Sequence, residues 1–260
     1  MAARDLERLA GVAEAAADAA RAEILPRFRK VAVEIKKDGS PVTEADRAAE
    51  RAIRAVFEKA TPEIPVVGEE YGGDASAGRH WLVDPIDGTI AFSRGLPLFG
   101  TLLALVEDGV PQLGLIDLGA LGDRTVGWRS GGVRCNGEPV RASQRTDLAT
   151  AIVSHGDGYG FAGFDELDAY LALTRDLRMF RGYTDCFGHA LAIRGGVDAM
   201  IDLSLNPWDA AATRVLIEEA GGACTVLRRD RADYALGLVF GSPALVPQLL
   251  AYLRGGQTPS

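Results

Sequence analysis

Leu9, Val12, Ala16, Ala20 and Ile24 recur near helical spacing and predict a first helix over residues 6–28. A polar stretch, Lys36-Lys37-Asp38-Gly39-Ser40-Pro41, breaks that pattern and must turn. A second helix is predicted from Thr43, a good N-cap, with Asp46 three residues on as a capping-box variant. Its apolar face runs through Ala49, Ile53, Val56 and Phe57. The pattern then changes to short apolar runs at 64–67, 81–83, 100–106, 111–116 and 125–128, which read as strands. Turn residues punctuate them, as in Glu107-Asp108-Gly109 and Asn136-Gly137. Further on, strands are predicted at 149–154, 178–181, 197–202, 223–227 and 237–240, and helices at 164–175, 186–194, 207–220 and 243–253. Elements mixed on this scale imply a layered α/β or α+β architecture. A soft boundary near 141–150 separates an N-terminal α+β part, 1–145, from a C-terminal α/β part, 146–260, in one compact unit. The tail, 255–260, is expected to be disordered.

Composition narrows the class. With 47% hydrophobic and 25% charged residues over 260 positions, the chain is expected to be globular and to bury about 70–75% of its unfolded surface. No apolar run approaches the ~18 residues of a membrane span, and Asp5, Glu7, Glu14 and Asp18 interrupt the Ala-rich start. The expectation is a cytoplasmic protein with no membrane partner. The balance of 28 basic against 36 acidic residues, net −8, argues against nucleic acid as a partner. An acidic protein that handles a phosphorylated molecule needs cations to bridge the repulsion. Three well-separated cysteines with no CxxC offer neither a zinc site nor a redox pair.

The most informative segment is Trp81-Leu82-Val83-Asp84-Pro85-Ile86-Asp87-Gly88-Thr89. An apolar strand delivers Asp84 at its end, Pro85 and Gly88 shape a turn, and Asp87 can converge on the same point. Two converging carboxylates repel unless a cation lies between them, and oxygen donors suit Mg²⁺ or Mn²⁺. Gly88 and Thr89 would open a helical turn whose amides can hold phosphate. A lone motif of this kind reads first as a carboxylate-capped turn. Two other acidic element ends change the balance. Gly68-Glu69-Glu70 follows an apolar run, and Asn206-Pro207-Trp208-Asp209 opens an amphipathic helix with a cap, a proline and an acid in order. Asp209 alone would read as dipole compensation, and Glu70 reads as a solvated acid.

In this order, GEE, WxxDPIDGT, PWDxAA and EEAGG resemble the inositol monophosphatase family. The resemblance runs at least from Lys37 to Gly222. It implies a layered αβαβα sandwich with the fructose-bisphosphatase-like fold and a small phosphate ester as substrate. It also implies two or three catalytic Mg²⁺ ions (Mn²⁺ in their place), lithium sensitivity and a homodimer. Carried over by position, Glu69, Asp84, the Ile86 carbonyl, Asp87 and Asp209 resemble the metal ligands. Glu69 and the Thr89–Asp46 pair resemble the groups that direct the attacking water, and the Gly88 and Thr89 amides those that hold phosphate. Lys37, or its neighbour Lys36, lies on the loop that covers the site in relatives.

The string Asp185-Cys186-Phe187-Gly188-His189 resembles the histidinol-phosphatase branch. Asp185 and Asp202 would place negative charge near the leaving group, which suits a cationic alcohol better than a neutral polyol. Asp185 also reads as an N-cap for a helix beginning at Cys186. Thr184, Ile90 and Tyr183 depart from that branch. Inositol 1-phosphate or another sugar-type ester is the alternative substrate, and an inactive metal- or phosphate-binding protein the alternative class. Gly158-Tyr159-Gly160-Phe161-Ala162-Gly163 matches GxGxxG but reads as a surface loop, since three residues separate it from the strand before it. His80 is expected in a loop, and the three histidines lack zinc spacing. No GxSxG exists, and Asp185 should raise the Cys186 thiol pKa.

Overall fold

The computed structural model describes residues 3–30, 32, 34–35, 41–76, 78–228 and 236–253. The predicted turn at Lys36–Lys37 and the tail 255–260 lie outside the described residues. Helix α1 (Ala3–Ile24) buries Leu9, Ala13, Ala16, Ala20 and Ile24 along one stripe. It stops short of the predicted residue 28. Pro26 has no N–H to donate and disfavours helical φ/ψ at Leu25, so the chain turns there. Strands β1 (Glu34–Ile35) and β2 (Pro41–Val42) form a small antiparallel pair before α2 (Glu44–Ala60). The predicted capping box is present: the Thr43 amide donates to Asp46 Oδ2 at 2.8 Å, and Thr43 Oγ1 accepts from Ala45 N at 3.1 Å.

Seven strands follow: β3 (Val66–Gly68), β4 (Arg79–Asp87), β5 (Gly100–Glu107), β6 (Val110–Leu118), β7 (Asp123–Trp128), β8 (Gly132–Cys135) and β9 (Glu138–Pro139). They form one sheet in chain order, parallel between β3 and β4 and antiparallel elsewhere. A short helix, α3 (Thr89–Ser93), follows β4. Asp108-Gly109 and Asn136-Gly137 turn two of the hairpins with positive φ at both residues, which these residue types tolerate.

The second half contains β10 (Ile152–His155), α4 (Gly158–Gly163), α5 (Leu167–Asp176), β11 (Met179–Arg181), α6 (Asp185–Ile193), β12 (Ala199–Leu205), α7 (Pro207–Glu219), β13 (Ala223–Arg228), β14 (Leu236–Gly241) and α8 (Val246–Leu250). Five of these strands form a mixed sheet ordered β11-β10-β12-β14-β13. The glycine-rich segment predicted as a loop is α4, because the Asp157 carboxylate caps it by accepting from Tyr159 N at 2.9 Å. The helix predicted over 164–175 is broken ahead of α5, where Asp165 takes a left-handed φ of 60°. Strand β12 does not end at Asp202 but continues to Leu205. His80 lies within β4 and is buried, not in a loop.

The layers run αβαβα. Helices α1 and α2 cover one face of the large sheet, and α6 and α7 fill the space between the two sheets. Helices α4, α5 and α8 lie on the outer side of the small sheet. Trp81 locks β4 to α2. Its ring stacks on Phe57 at 4.2 Å, and its indole N–H donates to Thr61 Oγ1 at 3.0 Å. Each such buried aromatic contributes about 2–3 kcal/mol. This contact fixes the strand that carries the first two acids of the site.

Candidate active site: an acidic cavity where β4, α6 and α7 meet

In a regular strand, residues three apart point to opposite faces. Asp84 and Asp87 escape that rule through a bulge. Asp84 pairs with Leu102 and Asp87 with Gly100, so three steps on β4 match two on β5. Thr101 Oγ1 donates to the Pro85 carbonyl at 2.8 Å and holds the bulged segment. Gly88 then takes a left-handed φ of 81°, and a Cβ there would stand 2.8 Å from the Leu98 carbonyl oxygen. Glycine alone fits this turn.

Two distant acids join the pair. Asp209 sits in the first turn of α7, where the Asn206 amide donates to its Oδ2 at 2.7 Å. Glu69 follows β3, and its amide donates to the Val83 carbonyl at 3.1 Å. The turn beyond it rests on Glu50, which the sequence reading did not single out. Fully buried in α2, Glu50 accepts from the amides of Glu70 at 2.7 Å and Tyr71 at 3.3 Å and pairs with Arg54. A Cβ on Gly68 would stand 2.0 Å from Glu50 Oε1, so the carboxylate needs a glycine beside it. The available signal was an acid on the buried side of an amphipathic helix.

Glu69, Asp84, Asp87 and Asp209 line one cavity of about 470 Å³. One carboxylate oxygen from each of the three aspartates lies within 4.8 Å of the others. Burial, then repulsion from Glu69, Asp87 and Asp209, pushes the Asp84 carboxyl well above the usual carboxylate range. Burial and then Asp87 push Asp209 in the same direction. Asp87 is also raised by burial, against the opposing pull of His189 and a hydrogen bond from the Cys186 amide to its Oδ2. Asp84 Oδ1 is buried and has no hydrogen-bond partner among the described residues. An orphaned anionic oxygen among like charges is costly, and a hard divalent cation relieves both faults. These residues therefore fit a divalent metal.

Beside the acids, Thr89 Oγ1 lies 2.9 Å from the Ile86 carbonyl and 3.4 Å from Asp46 Oδ1. Asp46 Oδ2 accepts from Thr43 Oγ1 at 2.6 Å, so the cap of α2 also backs this threonine. Burial raises the Asp46 carboxyl despite those hydrogen bonds.

Asp185 lines the cavity as the first residue of α6, with a left-handed φ of 55°. It is not the helix cap; Thr184 holds that position and its hydroxyl donates to Asp185 Oδ2 at 2.8 Å. Burial, then Asp87, pushes the Asp185 carboxyl up to about 7. The Cys186 thiol is also raised, but chiefly by burial and only then by Asp87 and Asp185.

Asp202, predicted to face the same space, is not among the cavity's lining residues. It is buried on β12, and its Oδ2 lies 3.2 Å from His189 Nε2. His189 Nδ1 in turn meets Thr213 Oγ1 at 2.7 Å. Because β12 runs on to Leu205, Asp202 points into packed structure instead of standing at a strand end. Lys37 lies outside the described residues. Among the described residues, no helix is long and apolar enough to cross a membrane.

The inositol monophosphatase family profile matches residues 5–256. A protein of Chlorobaculum parvum named histidinol-phosphatase is 36% identical over 231 residues, covering 88% of this chain and 89% of that one. A histidinol-phosphatase of Streptomyces coelicolor is 35% identical over 254 residues, covering 94% and 96%. The solved inositol monophosphatase of Zymomonas mobilis superposes with a TM-score of 0.83 at 32% identity, covering 97% of this chain and 99% of that one. The bulged strand with its two aspartates, the acid at the start of α7 and these matches together make the chain a member of the inositol monophosphatase family of phosphoric monoester hydrolases.

Proposed function

We propose that this protein hydrolyses histidinol phosphate to histidinol and phosphate. The observation that carries a metal-dependent phosphatase is the convergence of the Asp84, Asp87 and Asp209 carboxylates, with the buried Asp84 Oδ1 left unpartnered among the described residues. The substrate assignment is supported by the histidinol-phosphatase relatives and by Asp185 in the cavity wall. Glu69, Asp84, the Ile86 carbonyl, Asp87 and Asp209 would hold two or three Mg²⁺ ions, with Mn²⁺ suiting the same donors. When bound, the ions supply positive charge against the anionic phosphate oxygens. The Gly88 and Thr89 amides hold the phosphate. Thr89 donates its hydroxyl hydrogen bond to Asp46 or to the Ile86 carbonyl, which leaves an Oγ1 lone pair to orient the attacking water. Glu69 takes that water's proton. No covalent phospho-enzyme is needed. The two parts, 1–145 and 146–260, would act as one catalytic unit, in a cytoplasmic homodimer inhibited by Li⁺.

Inositol 1-phosphate is the second reading, favoured by the Zymomonas mobilis enzyme. Phosphate release from both esters, with and without Mg²⁺, decides between them. The expected kcat/KM is at least about tenfold higher for histidinol phosphate and is abolished by EDTA. An equal or inverted ratio removes the histidinol assignment. A Mg²⁺-dependent rise in melting temperature with no turnover of any monophosphate identifies a binding protein instead.

A further inference from the structure

Asp202, expected from the sequence to meet the leaving group, is buried behind the cavity. A different acid, Asp157, lines it. Asp157 caps α4. Its Oδ1 accepts from Tyr159 N at 2.9 Å, while Oδ2 has no hydrogen-bond partner among the described residues. The backbone on both sides of it is pressed against β12. The Gly156 amide donates to the Ile201 carbonyl at 2.9 Å. A Cβ on Gly156 would stand 2.4 Å from the Asp202 carboxylate, and one on Gly160 would stand 2.4 Å from Ser204 Oγ. Asp202 is itself held by His189, at 3.2 Å. The buried Asp202–His189 pair is thus a wall behind Asp157 that keeps the α4 cap from retreating.

We propose that Asp157, together with Asp185, is a specificity-determining residue that selects phosphate esters whose alcohol carries a positive charge. The proposal rests on the phosphatase reading of the cavity. The described lining residues include no lysine, arginine or histidine, so away from the metal-binding carboxylates the wall presents net negative charge to the leaving group. A free carboxylate oxygen there can accept a charge-assisted hydrogen bond from an ammonium or imidazolium group, and a neutral polyol gains no such contact.

Asp157→Asn tests this cleanly, because asparagine caps a helix about as well as aspartate and only the charge is lost. Asp157→Ser, which also caps, controls for the added amide, and an unchanged melting temperature shows that α4 is intact. The measured quantity is the ratio of kcat/KM for a cationic ester over a neutral one, using histidinol phosphate against inositol 1-phosphate and 2-aminoethyl phosphate against 2-hydroxyethyl phosphate. Losing a hydrogen bond to a charged group should lower that ratio about tenfold in both variants. A ratio that does not change on either pair overturns the proposal, as does an equal loss on both members of each pair. If the native protein does not turn over histidinol phosphate but the ratio still falls on the second pair, the substrate assignment fails and the role of Asp157 stands.

Discussion

The two sheets contribute to the cavity in opposite ways. The large sheet supplies Asp84 and Asp87 from within β4, a strand paired on both sides and locked to α2 by the Phe57–Trp81 stack. Their carboxylates are forced together and driven up in pKa by burial and repulsion. The small sheet supplies Asp157 and Asp185 from helix starts just beyond β10 and β11. Those positions end elements and are not built into the sheet. Chemistry that needs cations held in place sits on the rigid strand. In the proposed function, choice of leaving group falls to these helix starts.

The largest effect should come from breaking the rigid side. Asp84→Asn should lower kcat by about 10³-fold or more, because several kcal/mol of charge stabilisation depend on that carboxylate. In chelator, the same variant should melt at a higher temperature than the native protein, since one repelling charge is gone. Normal turnover, or a lower melting point without metal, would remove Asp84 from the metal site. Next comes the support of Glu69. Glu50→Ala leaves two backbone amides and Arg54 without their buried acceptor and should cost about 3 kcal/mol of stability by chemical denaturation. The Mg²⁺ concentration needed for half-maximal activity should rise with it; an unmoved Mg²⁺ requirement would mean that Glu50 supports the fold but not the site. The smallest effect belongs to the rim. Asp185→Ala should lower kcat/KM for histidinol phosphate about tenfold and that for inositol 1-phosphate by much less. Equal losses on the two esters would make Asp185 a structural residue of the α6 start.

These contrasts follow what could be read in the chain. The DPIDGT segment was legible because its acids, proline, glycine and threonine lie within six positions and act on their own turn. The Thr43–Asp46 and Asn206–Asp209 caps were legible for the same reason, since a cap joins residues three apart. Asp202 was misplaced because the end of β12 depends on its pairing with β14, whose register shifts between Asp202 and Leu205. Asp157 and Glu50 were missed because each looks locally ordinary, one in a glycine-rich stretch and the other in a charged helix. Their importance comes from partners in other elements.

Local interactions, helical and strand periodicity, capping and turn chemistry depend on neighbours along the chain, so residue order alone determined most of the elements and the acidic motif, but not where β12 ends or that α4 is a helix. The meeting of Glu69, Asp84, Asp87, Asp157, Asp185 and Asp209 around one space was decided by sheet order and by the packing of α6 and α7 between the sheets. Burial at that meeting point is what turns ordinary surface acids into a cluster that needs a cation, and burial is a property of the folded chain.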